Sequence, residues 1–255
     1  MKKHHLSFFL FALLLLATSC RQGYQLTAIE RSRILVDKVY DAQPDAEAVQ
    51  FLAPYKHTVD SMMSPVVGRV AEYMAPARPG SNMTNLLADI LVWAARSYGE
   101  KPDFAVYNIG GMRAGFAEGE VTFGQVLDVA PFENKICFLT LSGAKVMELF
   151  RQIASVGGEA VSHGVELVTT ADGQLLSALL NGKEIDAEGS YRVVTLDYLS
   201  EGNDKMEAFR AGTNVVSPQE ERNNIRYIIM DYFRAEAAQG RAVDGPDERR
   251  IVVKE

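Results

Sequence analysis

The sequence has few of the residues that build disulfide frameworks and metal clusters, because its 255 residues include only two cysteines and four histidines. Two cysteines cannot form the multiple crosslinks of a small secreted scaffold, and they exclude a thiolate metal cluster. The chain also lacks a basic excess, since 26 Lys and Arg stand against 33 Asp and Glu, for a formal net charge of −7. We therefore expect no binding of a nucleic-acid polymer through its phosphates.

The remaining composition is that of an ordinary packed protein, with 47% hydrophobic, 23% charged and 9% aromatic residues. This balance excludes an intrinsically disordered chain, a collagen-like chain and a protein with many membrane spans. A length of 255 residues corresponds to one large domain or to two small ones.

The N-terminus has the pattern of a secretory leader. A short basic segment, residues 1–5, precedes an apolar run from Leu6 to Ala17 that is too short to span a bilayer comfortably. The run ends at Thr18-Ser19-Cys20, and small residues directly before a cysteine resemble a bacterial lipobox, although Ala17 stands where such motifs usually have leucine. We predict a signal peptide at residues 1–19 and acylation of Cys20; the alternative is plain secretion with cleavage nearby.

Removal of this leader leaves Cys137 as the only thiol and His57 and His163 as the only histidines. A catalytic thiol needs an adjacent base, and neither histidine is near Cys137 in the sequence. Cys137 lies in an apolar run with strand-like composition. We therefore predict that it is a small buried core residue without a chemical role.

Strand and helix patterns alternate along the rest of the chain without the regular βαβ rhythm of a doubly wound sheet. The clearest helix begins at Ser81 and Asn82, which are good N-cap residues, and its apolar stripe extends to Ala94. Short apolar runs predict buried strands. The run at 104–107 predicts a short buried strand and the run at 191–199 a strand, while residues 34–39 are a β-like patch within a polar stretch.

These patterns predict a single α+β domain, with mixed sheets and packed helices, at residues 46–255. The polar stretch before it, residues 20–45, is predicted to be a tether and edge segment. Together with the lipobox, the patterns predict a protein of the cell envelope. It would be held by a lipid anchor in a membrane that faces the periplasm or the exterior.

A turn with two glycines directly follows one of the predicted strands. Gly110 and Gly111 permit positive φ and let backbone N–H groups approach a ligand closely, while Asn108 and Arg113 offer amide and guanidinium donors at its ends. Ligand binding is one interpretation of this turn. The other is an ordinary tight turn with a solvated arginine.

Two further loops each combine an aromatic residue with a polar one. Phe132 and Asn134 lie in a loop with a proline just before a predicted strand, and Tyr198 and Asp204 lie just beyond the end of another. Loops at strand ends are where binding residues collect. The alternative is that both rings only anchor their loops in the core.

Taken together, these segments resemble the C-terminal domain of the 5′-nucleotidase family. The resemblance extends from about Val49 to Phe233, in blocks that follow the family's order. The blocks are FLAPYKHTVDSMMSPVVGRV, SNMTNLLADILVWAA, NIGGMR, EGEVTFGQVLDVAPFENKICFLTLSGAKVMELF and TLDYLSEGNDKMEAF. The resemblance implies the fold of that domain and a role in binding substrate.

In that family two aromatic rings sandwich the base of the substrate. The positions of this chain that match them are Phe132 and Tyr198. Asn134 matches the polar residue near the base, and Asp204 matches the acid beside the second aromatic. Stacking of a base on an aromatic side chain contributes about 1–3 kcal/mol per base, so the resemblance implies a nucleoside or a nucleotide as ligand.

The polar ends of the glycine turn, Asn108 and Arg113, match the family as well, and Arg113 could pair with a phosphate oxygen or a ribose hydroxyl through its planar guanidinium. The chain departs from the family at Gly202-Asn203-Asp204-Lys205-Met206, where GGDGF or GGDGY is usual. Asn203 can adopt the left-handed conformation there at low cost, but Lys205 adds bulk and charge beside the pocket. A further family arginine has no clean match, since Arg78 is one place out of step.

The chemistry of that family belongs to a separate N-terminal metallophosphoesterase domain, which holds two metal ions through several His, Asp and Asn ligands. His57 and His163 cannot complete such a site, so we expect no catalytic residue, no metal site and no cofactor in this chain. Divalent metals are expected only in a partner chain.

The predicted function is the nucleoside- or nucleotide-recognition half of a 5′-nucleotidase-type phosphohydrolase. It would act with a separate metallophosphoesterase chain in nucleotide catabolism. Two alternatives remain: a nucleoside-binding lipoprotein that has no enzymatic role, and a structural relic whose pocket has decayed.

Overall fold

The computed structural model of the protein describes residues 26–35 and 37–254. Cys20 and the predicted signal peptide lie outside these residues, and the domain bounds at residues 19 and 45 stay predictions. The chain divides after Leu52 into two compact units. All the strands of the described chain lie in the second unit.

Helices and strands alternate along the described chain. The helices are α1 (Ala46–Met63), α2 (Asn82–Ala94), α3 (Phe123–Val129), α4 (Gly143–Ser155), α5 (Asp197–Ser200) and α6 (Ile225–Ala238). The strands are β1 (Val66–Val70), β2 (Phe104–Tyr107), β3 (Gly119–Thr122), β4 (Ile136–Ser142), β5 (Ala160–Val161), β6 (Val165–Thr170), β7 (Leu175–Leu180), β8 (Lys183–Glu184), β9 (Ser190–Leu196), β10 (Thr213–Val216) and β11 (Ile251–Lys254). None of the described helices is long and apolar enough to cross a membrane.

The strands form three sheets. The central sheet has five strands in the order β10-β4-β9-β2-β5; β2 runs parallel to β9, and β4 runs antiparallel to it. A four-stranded sheet has the order β11-β6-β7-β8, and β1 pairs with β3. The predicted α+β class, with mixed sheets and packed helices, is confirmed.

The central sheet lies between two hydrophobic clusters, because successive side chains of a strand point to opposite faces. In β2, Ala105 and Tyr107 belong to one cluster, which also contains the apolar faces of α2 and α6. Phe104 and Val106 belong to the other cluster, which contains the apolar face of α4. Both faces of this sheet are therefore buried, and its strand ends have a fixed position.

The cap of α2 follows local sequence rules. Ser81 accepts a hydrogen bond from the Thr84 N–H, and the Thr84 hydroxyl accepts one from the Ser81 N–H, so the two residues form a capping box. The helix continues as a short 3₁₀ turn to Tyr98 and ends at Gly99 in the left-handed conformation, with φ 70°. The helix predicted from Ser81 and Asn82 onwards is confirmed.

Cys137 is fully buried in β4, and this burial raises the pKa of its thiol. The prediction of a buried core residue is confirmed.

The β-like patch and one predicted strand differ from the structure. The run at 34–39 forms no strand in its described residues, and the side chains of Ile34 and Leu35 are exposed; β-forming residues form a strand only where neighbours bury one face. The run at 191–199 ends as a strand at Leu196. There the Asp197 carboxylate accepts the N–H groups of Tyr198 and Lys135, and the chain turns into α5.

Candidate functional site

Three loops meet at one edge of the central sheet. Because β2 and β9 are parallel, their carboxyl ends lie at the same edge, and β4, antiparallel to β9, begins there, with Ile136 opposite Leu196. The glycine turn follows β2, α5 follows β9, and the loop with Phe132 leads into β4. The topology therefore brings together segments that are far apart in the sequence.

A cleft of about 210 Å³ lies between these loops. It gathers seven of the eight residues that the sequence singled out for ligand binding. They are Asn108, Gly110, Gly111, Phe132, Asn134, Tyr198 and Asp204. The eighth, Arg113, is exposed beside the turn, where its Nη1 lies 3.3 Å from the Gly110 carbonyl oxygen.

The Asp204 carboxylate joins two walls of the cleft. One oxygen accepts a hydrogen bond from the Tyr198 hydroxyl at 2.9 Å, and the other accepts one from Asn108 Nδ2 at 2.9 Å. The hydrogen bond to Asp204 raises the pKa of the Tyr198 hydroxyl, and burial adds to this shift. The phenol is therefore neutral at physiological pH and remains a donor.

The orientation of the Asn108 amide is fixed by this carboxylate. Its NH₂ group must face Asp204, because a flipped amide would place its oxygen against the carboxylate. Asn108 is only 4% exposed, and its Oδ1 has no hydrogen-bond partner among the described residues. This acceptor lies beneath the glycine turn, so the fit of that turn over Asn108 is tight.

The two aromatic rings of the cleft are partly open to solvent. Phe132 is 48% exposed and Tyr198 is 37% exposed. Rings that only anchored loops in the core would be buried, as Phe104 and Phe138 are. The exposure of the two rings favours a surface that a planar ligand can cover.

Hydrogen bonds from α6 hold the loop that carries Phe132. The Arg226 guanidinium donates to the Pro131 carbonyl oxygen at 2.9 Å, and the Ile225 N–H donates to the Asn134 carbonyl oxygen at 2.9 Å. The backbone on both sides of Phe132 is therefore tied to a helix that packs in the core. Such support keeps a binding ring in place before a ligand arrives.

The residues that line this cleft lie within a segment of the sequence that matches a known protein family. The family model described as "5′-nucleotidase, C-terminal domain" matches residues 66–211, which include all eight site residues. The chain belongs to this family.

Curated relatives of this 5′-nucleotidase C-terminal domain are much longer proteins. A 5′-nucleotidase of Vibrio cholerae is 24% identical over 168 residues, a match that covers 64% of this chain and 30% of the relative. A trifunctional nucleotide phosphoesterase protein of Bacillus subtilis is 28% identical over 230 residues, or 82% of this chain and 15% of the relative. The chain thus spans a third or less of the length of these relatives.

The solved structures that resemble this fold include two nucleotidases. A 5′-nucleotidase precursor from Thermus thermophilus superposes with a TM-score of 0.69 at 24% identity, over 84% of this chain and 44% of that one. A NAD nucleotidase from Haemophilus influenzae gives a TM-score of 0.60 at 20% identity. At these identities the similarity shows the fold alone.

Residues 26–35 and 37–254 contain no group of three or more His, Cys, Asp or Glu residues that could hold a metal ion.

The glycine turn differs in conformation from the sequence-based expectation. Residues Ile109–Gly111 form one 3₁₀ turn, and neither Gly110 nor Gly111 has positive φ. Glycine is needed at position 111 for another reason, since a Cβ there would lie 2.7 Å from Asn108 Oδ1. The group that lies close to the Gly111 backbone is therefore the Asn108 side chain of the same domain.

The departure from the family's second glycine block also has a different geometry from the expected one. Asn203 is not left-handed; Gly202, Asp204 and Lys205 are, with φ of 82°, 53° and 65°. Asn203 instead donates from Nδ2 to the Tyr198 carbonyl oxygen at 2.8 Å. This bond closes the loop over α5, and the non-glycine residues with positive φ are the next two, Asp204 and Lys205.

Sequence reasoning missed Glu159, which lies directly behind the glycine turn. Its side chain is 2% exposed, it accepts the Ile109 N–H, and it pairs with Arg78 at 2.6 Å. Burial raises the pKa of this carboxyl, and the hydrogen bonds from Ile109 and Arg78 oppose the shift. The one signal in the sequence is an acidic residue directly before the two apolar residues of β5.

Replacement of Gly111 by Ala is expected to destabilise the domain by about 1–3 kcal/mol, because the new methyl group must displace the Asn108 amide. Gly110→Ala is the matched control, since a Cβ there would meet nothing closer than Asp204 Oδ2 at 4.0 Å. We expect the control to stay within about 0.5 kcal/mol of the original protein. Urea denaturation measures both values, and equal changes in the two variants would contradict the tight fit over Asn108.

Proposed function

We propose that the cleft binds a nucleoside or a nucleoside 5′-phosphate, with the base between Phe132 and Tyr198. The observation that carries this proposal is the pair of partly exposed rings on separate loops that line one cleft. Every base has a flat face, and a base that covers such rings removes their apolar surface from water. Membership of the 5′-nucleotidase C-terminal domain family supports a nucleotide ligand.

The polar groups of the cleft suit the rest of a nucleoside. The Asn134 side-chain amide offers both a donor and an acceptor for the edge of a base. Asp204 already accepts two hydrogen bonds, and its carboxylate has further lone pairs that can accept ribose hydroxyls. Arg113, at the exposed end of the turn, supplies the positive charge for a phosphate.

We propose further that this domain is the recognition half of a phosphohydrolase in nucleotide catabolism. The described residues offer no ligand set for the two metal ions of such a reaction, so no chemical step is assigned to them. Their contribution is to bind and orient the nucleotide, which can lower a reaction barrier substantially when the reacting groups are held in place. A separate metallophosphoesterase chain would supply the metals.

The second candidate function is a nucleoside-binding lipoprotein without an enzymatic role. It uses the same cleft, and the predicted leader at residues 1–19 is compatible with both functions equally. The two differ only in whether a metallophosphoesterase chain acts on the bound nucleotide.

Replacement of either ring by Ala is expected to weaken adenosine binding by about 1–3 kcal/mol, or roughly 5- to 150-fold, because the base loses a stacking surface. Tyr198→Phe keeps the ring and should lose less. Tyr73→Ala, which removes an exposed ring outside the cleft, is the control and should change nothing. Calorimetric titration measures these affinities; Phe132→Ala and Tyr198→Ala variants that melt earlier but bind adenosine normally would show that the rings are only loop anchors.

The purified chain is expected to release no phosphate from AMP when Mn²⁺, Co²⁺ or Zn²⁺ is added, because His57 and His163 cannot complete a dinuclear site. Addition of a metallophosphoesterase chain from the same organism should produce activity that depends on Phe132 and Tyr198. Appreciable metal-dependent turnover by this chain alone is the result that contradicts the proposal.

For the lipid anchor, we expect the full-length protein to sediment with membranes and to incorporate labelled fatty acid. Cys20→Ala should lose the label, because the acylated sulfur is gone. Cys137→Ala is the control for the loss of a thiol and should keep the label. Equal membrane association of the original protein and Cys20→Ala would leave only simple secretion.

A further inference from the structure

The buried carboxylate of Glu159 connects two loops that are distant in the sequence. One oxygen accepts the N–H of Ile109, the first residue of the glycine turn, and the other pairs with Arg78 Nη2 at 2.6 Å. The side chain of Glu159 is 2% exposed, whereas that of Arg78 is 37% exposed. Arg78 therefore supplies a positive charge that opposes the rise in the pKa of the Glu159 carboxyl caused by its burial.

Close backbone packing holds the two partners together. Gly158 has φ 108°, and a Cβ on it would lie 2.6 Å from the Pro79 carbonyl oxygen. The segment that carries Glu159 thus packs directly on the segment that carries Arg78. The ion pair lies at a junction that has little freedom to open.

Two acids hold consecutive residues of the turn from different sides. Asp204 accepts the side-chain amide of Asn108, and Glu159 accepts the backbone N–H of Ile109. The charge of Asp204 adds to the rise in the pKa of the Glu159 carboxyl. The cation that contacts the Glu159 carboxyl behind the turn is Arg78.

We propose that Arg78 and Glu159 are positioning residues, whose ion pair holds the turn Ile109–Gly111 in the shape that lines the cleft. Arg78 does not line the cleft of the described chain, and its guanidinium is directed to Glu159, so it does not serve the phosphate of the ligand. That role belongs to Arg113 at the exposed end of the turn. This inference rests on the proposed nucleoside site.

The test compares adenosine with AMP in calorimetric titrations of folded variants. Arg78→Met and Glu159→Gln should each weaken both ligands by the same factor, about tenfold, because a lost hydrogen bond to a charged group loosens a wall that both ligands share. Arg78→Lys keeps the charge and should recover part of the affinity. Arg113→Ala should weaken AMP several-fold more than adenosine.

The ion pair between Arg192 and Glu100 provides the matched control. Arg192 Nη2 lies 2.6 Å from Glu100 Oε1, and both side chains are 18% exposed. Neither residue lines the cleft. Glu100→Gln should lower the melting temperature and leave both affinities unchanged. A general loss of stability is thereby separated from an effect on the turn.

Two results would overturn the inference. A loss in Arg78→Met that is confined to AMP would make Arg78 a phosphate ligand, and unchanged affinities in folded Arg78→Met and Glu159→Gln would reduce the pair to a stability element. Failure of the original protein to bind adenosine is a distinct result. It would remove the proposed nucleoside site itself, and this inference with it.

Discussion

The parallel pairing of β2 with β9 is the constraint on which the cleft depends. It places the ends of two strands, separated by about ninety residues of sequence, side by side at one sheet edge. The Thr195 hydroxyl, donating to the Val106 carbonyl oxygen at 2.8 Å, adds a side-chain bond between the same strands. Both faces of this sheet are covered by apolar clusters, so a shift of register would expose core residues. The loops at this sheet edge are therefore attached to strand ends whose positions are fixed by the core.

Three side-chain carboxylates accept hydrogen bonds that hold these loops. Asp197 fixes the start of α5, Asp204 joins Tyr198 to Asn108, and Glu159 holds the glycine turn from behind. Glu159 is buried and Asp197 and Asp204 are partly buried. Because removing a carboxylate from water is costly unless donors surround it, it matters that each of the three accepts at least two hydrogen bonds. The donors to these carboxylates are mostly backbone N–H groups and neutral side chains. Arg113 is not one of these donors, and its side chain is exposed at the rim of the cleft.

The sequence predicted those parts of the site that obey local rules or ordered motifs. The capping box at Ser81 and the buried strand before Asn108 need only neighbouring residues, and the order of the blocks assigned the residues that line the cleft. Long-range contacts were not predictable. Glu159 meets Arg78 across 81 positions, and no periodicity reports such a pair.

Conformation at the turns was the other part that local rules could not supply. Asn203 is a residue type that tolerates the left-handed region, yet its side chain bonds to the Tyr198 carbonyl oxygen, and Asp204 and Lys205 take positive φ instead. The cost of two non-glycine residues in that region, about 1–2 kcal/mol each, is offset by the hydrogen bonds that Asp204 then makes. The tolerance of asparagine for the left-handed region therefore does not decide the conformation of Asn203. Its side-chain hydrogen bond across the loop accompanies a different conformation.

Hydrogen bonds within the protein hold the walls of the cleft, and this bears on how a recognition domain can be separate from the residues that do chemistry. Phe132 is held through Arg226 and Ile225, and Tyr198 through Asp204. Because these groups are already ordered, a base that enters between the rings loses little affinity to the ordering of the protein. The stacking energy is then available for binding and orientation. If this domain is the recognition half of a phosphohydrolase, as proposed, a second chain would need only to present metals to a phosphate that the domain holds in position.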